Sequence, residues 1–139
     1  MKMKYFITLI FALIFSFNAT AQDQIIGTWW TPAKDGKIEM YKSGNKYYGK
    51  ILSGKSNRKD VNNPNPALRN RDLAGLVILY EFEYDADDQE WVNGKIYDPN
   101  SGKTYSCKIW LIENGQFMKV KGFIGFSMLG RSETFERVR

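Results

Sequence analysis

The chain has 139 residues, a formal charge of +5, one cysteine and no histidine. The absence of histidine removes the Ser-His-Asp and Cys-His nucleophile systems and every histidine metal site, and a lone Cys107 leaves no internal disulfide to hold a small fold together. The length suits one domain with one core, and the basic excess is too mild and too evenly spread for a nucleic-acid face.

The chain opens with an export pattern. Lys2 and Lys4 form a positive start, residues 5–17 an apolar run broken only by Thr8 and Ser16, and Ala19-Thr20-Ala21 a small-residue cleavage site. This predicts a signal peptide over 1–21 and a single mature domain over 22–139, delivered to the periplasm or the medium. A membrane anchor is the competing reading, but the run is shorter than the roughly 18 residues a spanning helix needs, and Asn18 ends it. No stable membrane insertion is therefore expected after cleavage, nor lipid attachment, since no cysteine lies near the site. Without Lys2 and Lys4 the charge falls to +3. The remaining lysines stand singly among strand residues and read as a solvated surface, with attraction to anionic lipid or polysaccharide the alternative. In an oxidising compartment Cys107 is expected as a half-buried structural thiol.

From residue 25 onward apolar and polar residues alternate between Gly, Asn and Asp turns, the pattern of antiparallel strands. Eight are predicted. The first three cover 25–31, 37–41 and 46–52. A polar loop over 53–73 follows, carrying Pro64 and Pro66, which a central strand does not tolerate; within it Asn65 is placed to cap a helical turn with Pro66 in first position. The fourth strand covers 76–84, with Leu76, Ile78, Tyr80, Phe82 and Tyr84 on its inward face. Residues 85–89 make an acidic turn, 90–97 the fifth strand and 98–102 a turn rich in breakers. Residues 103–112 form the sixth strand, with Tyr105, Cys107, Ile109 and Leu111 together. Asn114-Gly115 turns into the seventh over 116–124, where Met118, Val120 and Ile124 oppose Lys119 and Lys121. The eighth falls within 129–138.

Eight short strands joined by sequential hairpins predict an all-β fold, an antiparallel up-and-down barrel whose closure removes exposed edges; a two-sheet sandwich is the alternative. Gly27-Thr28-Trp29 resembles the Gly-x-Trp signature of lipocalin-like barrels, which implies a Trp closing the barrel base beneath a cation from the last strand, here Arg131 or Arg137. A further resemblance runs through residues 60–66, Arg69-Asn70-Arg71, Gly75, Gly94-Lys95-Ile96-Tyr97-Asp98-Pro99, Gly102-Lys103-Thr104-Tyr105, residues 120–125 and Leu129-Gly130-Arg131. Together these are similar to the DUF2147 family of small exported bacterial proteins of uncharacterised function. The resemblance implies a lipocalin-like barrel in the cell envelope and carries no catalytic residues. Asp72 stands where the family often has Pro, and Phe135 where it often has Trp.

The loop around Asp60, Asn63, Arg69 and Arg71 is the most suggestive polar segment. Folded across a barrel mouth, either arginine would grip a ligand carboxylate or phosphate through a two-bond fork; folded on itself, Asp60 would pair with an arginine and the Asn side chains would satisfy backbone. If Gly49, Gly75, Gly94 and Gly122 narrow one end, the alternating faces leave room for a pocket lined by Tyr48, Tyr80, Tyr97 and Tyr105. Enzyme chemistry finds little support. Asp85, Asp87, Asp88 and Glu90 lack calcium-loop spacing, Asp60 and Asp98 would need a fixed separation to cleave glycosides, and Ser101, Ser127 and Ser132 have no base. The expectation is a non-enzymatic exported carrier of a small hydrophobic or amphipathic molecule, with no cofactor or metal and no nucleic-acid partner. The alternative is an envelope interaction module with a filled barrel.

Overall fold

A computed structural model describes residues 20–52, 58–123 and 132–139. Eight antiparallel strands close into a barrel in sequential order: β1 (Gly27–Trp30), β2 (Lys37–Ser43), β3 (Lys46–Ile51), β4 (Val77–Asp85), β5 (Glu90–Asp98), β6 (Lys103–Ile112), β7 (Phe117–Phe123) and β8 (Ser132–Arg137). The barrel is the predicted one, not a sandwich. Closure is short: β1 meets β8 through Trp29↔Arg137 and Trp30↔Glu136, and Val138 N donates to Thr28 O at 2.9 Å beyond them. The export segment, Ile124 and Arg131 lie outside the described residues.

Alternation places one side chain in two inward, and the inner face supplies the core: Trp29, Met40, Tyr47, Leu79, Phe82, Trp91, Ile109 and Met118 are all buried. Three bulges adjust this phase. Between Lys50↔Val77 and Gly49↔Leu79 β4 gains one residue on β3, and it gains another before Tyr47↔Phe82, where Glu81 adopts φ 65. Between Trp91↔Ile109 and Gly94↔Cys107 β5 gains one on β6, with Asn93 at φ 61. A bulge sends the residues beyond it to the opposite face. Leu79 therefore turns inward and Tyr80 outward, which corrects the uninterrupted inward run expected on β4. Ile78, Phe82 and Tyr84 keep the predicted side.

The N-terminal end is built as a plug. Residue 25 was expected to open the first strand, but Ala21–Ile25 form a 3-10 helix that buries Ile25 under the barrel. Trp29 Nε1 donates to the Ile25 carbonyl at 3.0 Å, Trp91 Nε1 to that of Gln22 at 3.1 Å, and the Tyr47 hydroxyl to Asp23 Oδ1 at 2.6 Å. Each buried aromatic thus contributes ring packing to the core and a donor to the plug backbone or side chain, satisfying groups that would otherwise be stranded away from water.

Candidate functional site

The barrel is filled at the plugged end and hollow at the other. At the plugged end the Arg137 guanidinium lies 4.2 Å from the centroid of the Trp29 ring. It donates from Nε to Gly115 O at 2.9 Å, from Nη1 to Ile26 O at 3.2 Å and from Nη2 to Gln24 O at 2.5 Å. Of the two cations expected there, Arg137 fills the role. Desolvation against the indole pulls its pKa below the usual guanidinium value. At the other end a cavity of about 870 Å³ opens among the loops that join β1–β2, β3–β4 and β5–β6, within the size range of small-molecule sites. Ile38, Ile51, Ile78, Ile96, Val120 and Phe135 form its apolar wall, Tyr105 and Glu133 bring polar groups to it, and Asp35, Arg58, Asp98 and Asn100 rim it.

The loop forms a clasp on the outer wall beside this mouth. Lys59 bridges Asp72 in both backbone and side chain, Asp60 N bonds Arg71 O at 3.0 Å, and Leu73 N bonds Arg58 O at 3.0 Å, so the loop closes on itself. Asn65 Oδ1 accepts from Ala67 N at 3.0 Å and caps the 3-10 turn Pro66–Leu68, as its sequence predicts. Asp60, fully buried, organises the clasp: it accepts from Tyr97 Oη at 2.5 Å, Asn63 Nδ2 at 2.8 Å and Arg71 Nε at 2.9 Å. Burial pushes this carboxyl up, but the bonds from Tyr97, Asn63 and Arg71 outweigh it and hold the pKa below the ordinary value. The Tyr97 hydroxyl is raised by burial and by the adjacent carboxylate. Asn62 Nδ2 reaches the carbonyls of Pro99 and Asn100 at 3.2 and 3.0 Å, and Arg58 Nη2 reaches Asn100 Oδ1 at 3.0 Å, tying the clasp to the β5–β6 turn. Gly102, at φ +73, is required there because a Cβ would collide with the Asn62 carbonyl.

The expected site residues therefore separate. Tyr97 and Tyr105 border the large cavity. Asn63, Arg71 and Tyr80, again with Tyr97, line a second cleft of about 280 Å³ between the clasp and the outer wall. Tyr48 lines neither; it stacks on Tyr41 at 5.8 Å, beside Tyr47, whose side chain takes the inner face. Asp60 and Arg69 are internal to the clasp, with Arg69 Nε donating to Asn63 O at 2.8 Å. Of the two arrangements open to this loop, the structure adopts the one in which Asp60 pairs with an arginine and the Asn side chains serve backbone. The acidic run from Asp85, the end of β4, to Glu90, the start of β5, spans a hairpin turn in which Asp85 Oδ1 accepts from the backbone of Asp87 and Asp88. Asp98 does the same for Asn100. Glu133 was missed as a wall residue, although β8 alternation signals it: Glu133, Phe135 and Arg137 share the face that Arg137 takes toward Trp29.

The family model described as "Uncharacterized protein conserved in bacteria (DUF2147)" matches residues 27–137, from the first strand to the cation over Trp29. The chain belongs to the DUF2147 family. No curated protein matches this DUF2147 chain. Among solved structures it is similar to one described as protein HP1028 from the human pathogen Helicobacter pylori, which belongs to the lipocalin family. The TM-score is 0.72 at 25% identity, over 83% of each chain. The DUF2147 barrel is thus lipocalin-like, a fold suited to holding a ligand between its strands.

Proposed function

We propose that the protein is an exported, non-enzymatic carrier of a small hydrophobic or amphipathic molecule held in the 870 Å³ cavity. The cavity itself carries this reading: six aliphatic and aromatic side chains form most of its wall, Tyr105 and Glu133 add two polar groups to it, and Asp35, Arg58, Asp98 and Asn100 stand at the rim. That division suits a molecule with an apolar body inside and a polar end at the mouth. The plugged end supports the reading as well, since among the described residues it closes the barrel base with hydrogen-bonded aromatic and guanidinium groups. The lipocalin-like neighbour and the signal pattern of residues 1–21 favour a binding role outside the cytoplasm.

Native mass spectrometry of protein taken from its own compartment, followed by organic extraction, tests the proposal. A reproducible bound lipid or metabolite, together with displacement of a fluorescent fatty-acid probe, is the expected result. Protein that is empty in every preparation and takes up no probe would refute it.

A further inference from the structure

The outer wall of β5, β6 and β7 gathers lysines that are scattered in sequence. Register places Lys108 directly opposite Lys121, Lys119 opposite Trp110, and Lys95 opposite Ser106, itself opposite Phe123. Like charges facing across a strand pair destabilise it, so the Lys108–Lys121 pair does not serve the fold. The described outer faces of these three strands carry one carboxylate, Glu90, which Lys108 meets at 3.2 Å. Elsewhere Lys34, Lys42, Lys46 and Lys59 each pair with an acid, while on β2 and β3 Lys37 and Lys50 lie over the Trp30 and Tyr41 rings at 4.5 and 5.5 Å, with Glu39 opposite Lys50 in register. The patch also presents half-buried rings, with the Lys108 ammonium 5.6 Å from the Trp110 ring and the Lys121 ammonium 5.6 Å from Phe123. It runs to the cavity mouth, because Gly122 lines the cavity while its neighbours Lys121 and Phe123 face outward.

We propose that this wall docks the barrel on an anionic phospholipid surface. Lysine ammoniums meet the phosphates, while Trp110 and Phe123 sit at headgroup level, where aromatic rings favour the interface between apolar and wet surroundings. The contact is peripheral and electrostatic, about 1 kcal/mol for each lysine near such a surface, and it sets the mouth beside a bilayer in which apolar molecules dissolve. The proposal does not depend on the carrier reading, since docking requires no occupant in the cavity.

Co-sedimentation with phosphatidylcholine vesicles containing about three parts in ten phosphatidylglycerol tests it, with pure phosphatidylcholine as the neutral comparison. Wild-type protein should pellet with the anionic vesicles alone and be released as salt rises from about 0.05 to 0.5 M. Lys119→Gln with Lys121→Gln should weaken partitioning about thirty-fold, the loss of two such lysines. Lys37→Gln with Lys50→Gln, the same charge change on β2 and β3, should leave it within about two-fold. If the first pair impairs folding, Lys95→Gln with Lys121→Gln takes its place. Equal binding to neutral vesicles, equal loss in both variants, or no sedimentation at low salt would each overturn the assignment. Binding to soluble dextran sulfate without sedimentation would overturn it in favour of a polysaccharide.

Discussion

Two side chains carry much of the local order. Asp60 is a fully buried carboxylate with three donors around it, and Asp60→Asn removes the counter-charge of Arg71 and replaces one of the two accepting oxygens with a donating NH2. Asp60→Asn should cost about 3 kcal/mol at neutral pH, read from the urea midpoint. Its folded pKa lies below the unfolded one, so the carboxylate's contribution is complete above about pH 4 and is lost as pH falls through the lower folded value. The wild type should therefore weaken steeply on acidification from about pH 4, while Asp60→Asn shows a flatter acid limb; parallel limbs would show that Asp60 is not the group responsible. Trp29 is buried beneath Arg137 and bonds the plug. Trp29→Ala should lower stability by about 3 to 5 kcal/mol through the cavity left behind, and an unchanged denaturation midpoint would remove it from the barrel base.

At the level of elements, strand existence was legible because alternation with Gly, Asn and Asp punctuation has few competing readings. Faces were less so. A bulge adds one residue without any distinctive side chain, as at Ile78 and Glu81 on β4, and so Tyr80 reads as inward until β3 fixes the pairing. The same bulging on β5 brings Gly94 inward against Phe82, where an added Cβ would overlap the ring. Gly94→Ala should destabilise the barrel by about 1 to 3 kcal/mol through overpacking. Phe82→Leu in the same chain should recover part of that loss, measured as a double-mutant cycle in urea. Additive losses would mean that the two positions do not share space. The clasp shows the opposite balance: its cap, Asn65 with Pro66, was plain from local chemistry, whereas its docking on Tyr97 and the 98–102 turn depends on contacts 37 or more residues apart.

For the whole molecule, the proposed binding role rests on the division between a filled end and a hollow end. Tyr47, Phe82 and Trp91 are buried toward the plugged end, while the cavity at the other end is lined by the shorter side chains of Ile38, Ile51, Ile78, Ile96 and Val120. Filling that space should separate binding from folding. Ile78→Trp is expected to abolish uptake of a fluorescent fatty-acid probe at an unchanged thermal midpoint within a few degrees, checked by probe titration and thermal denaturation side by side. Undiminished uptake would place the ligand elsewhere, with the 280 Å³ cleft beside Arg71 the next place to look.

The sequence alone carried the strand alternation of an all-β fold, the turns and the export pattern, since each rests on local periodicity or on residue chemistry within a few positions, while the Trp29 closure was implied by resemblance to the Gly-x-Trp signature and is completed by Arg137 from the last strand. Tertiary structure decided which tyrosines face inward, that Asp60 bonds with Arg71 and Asn63 in a closed clasp, and that Lys95, Lys108, Lys119 and Lys121 lie on one wall. Strand register governs the first and the last, and loop contacts with Tyr97 and the 98–102 turn the second. Register is set by bulges and by closure of the barrel, through pairings between residues far apart in the chain that no local pattern encodes.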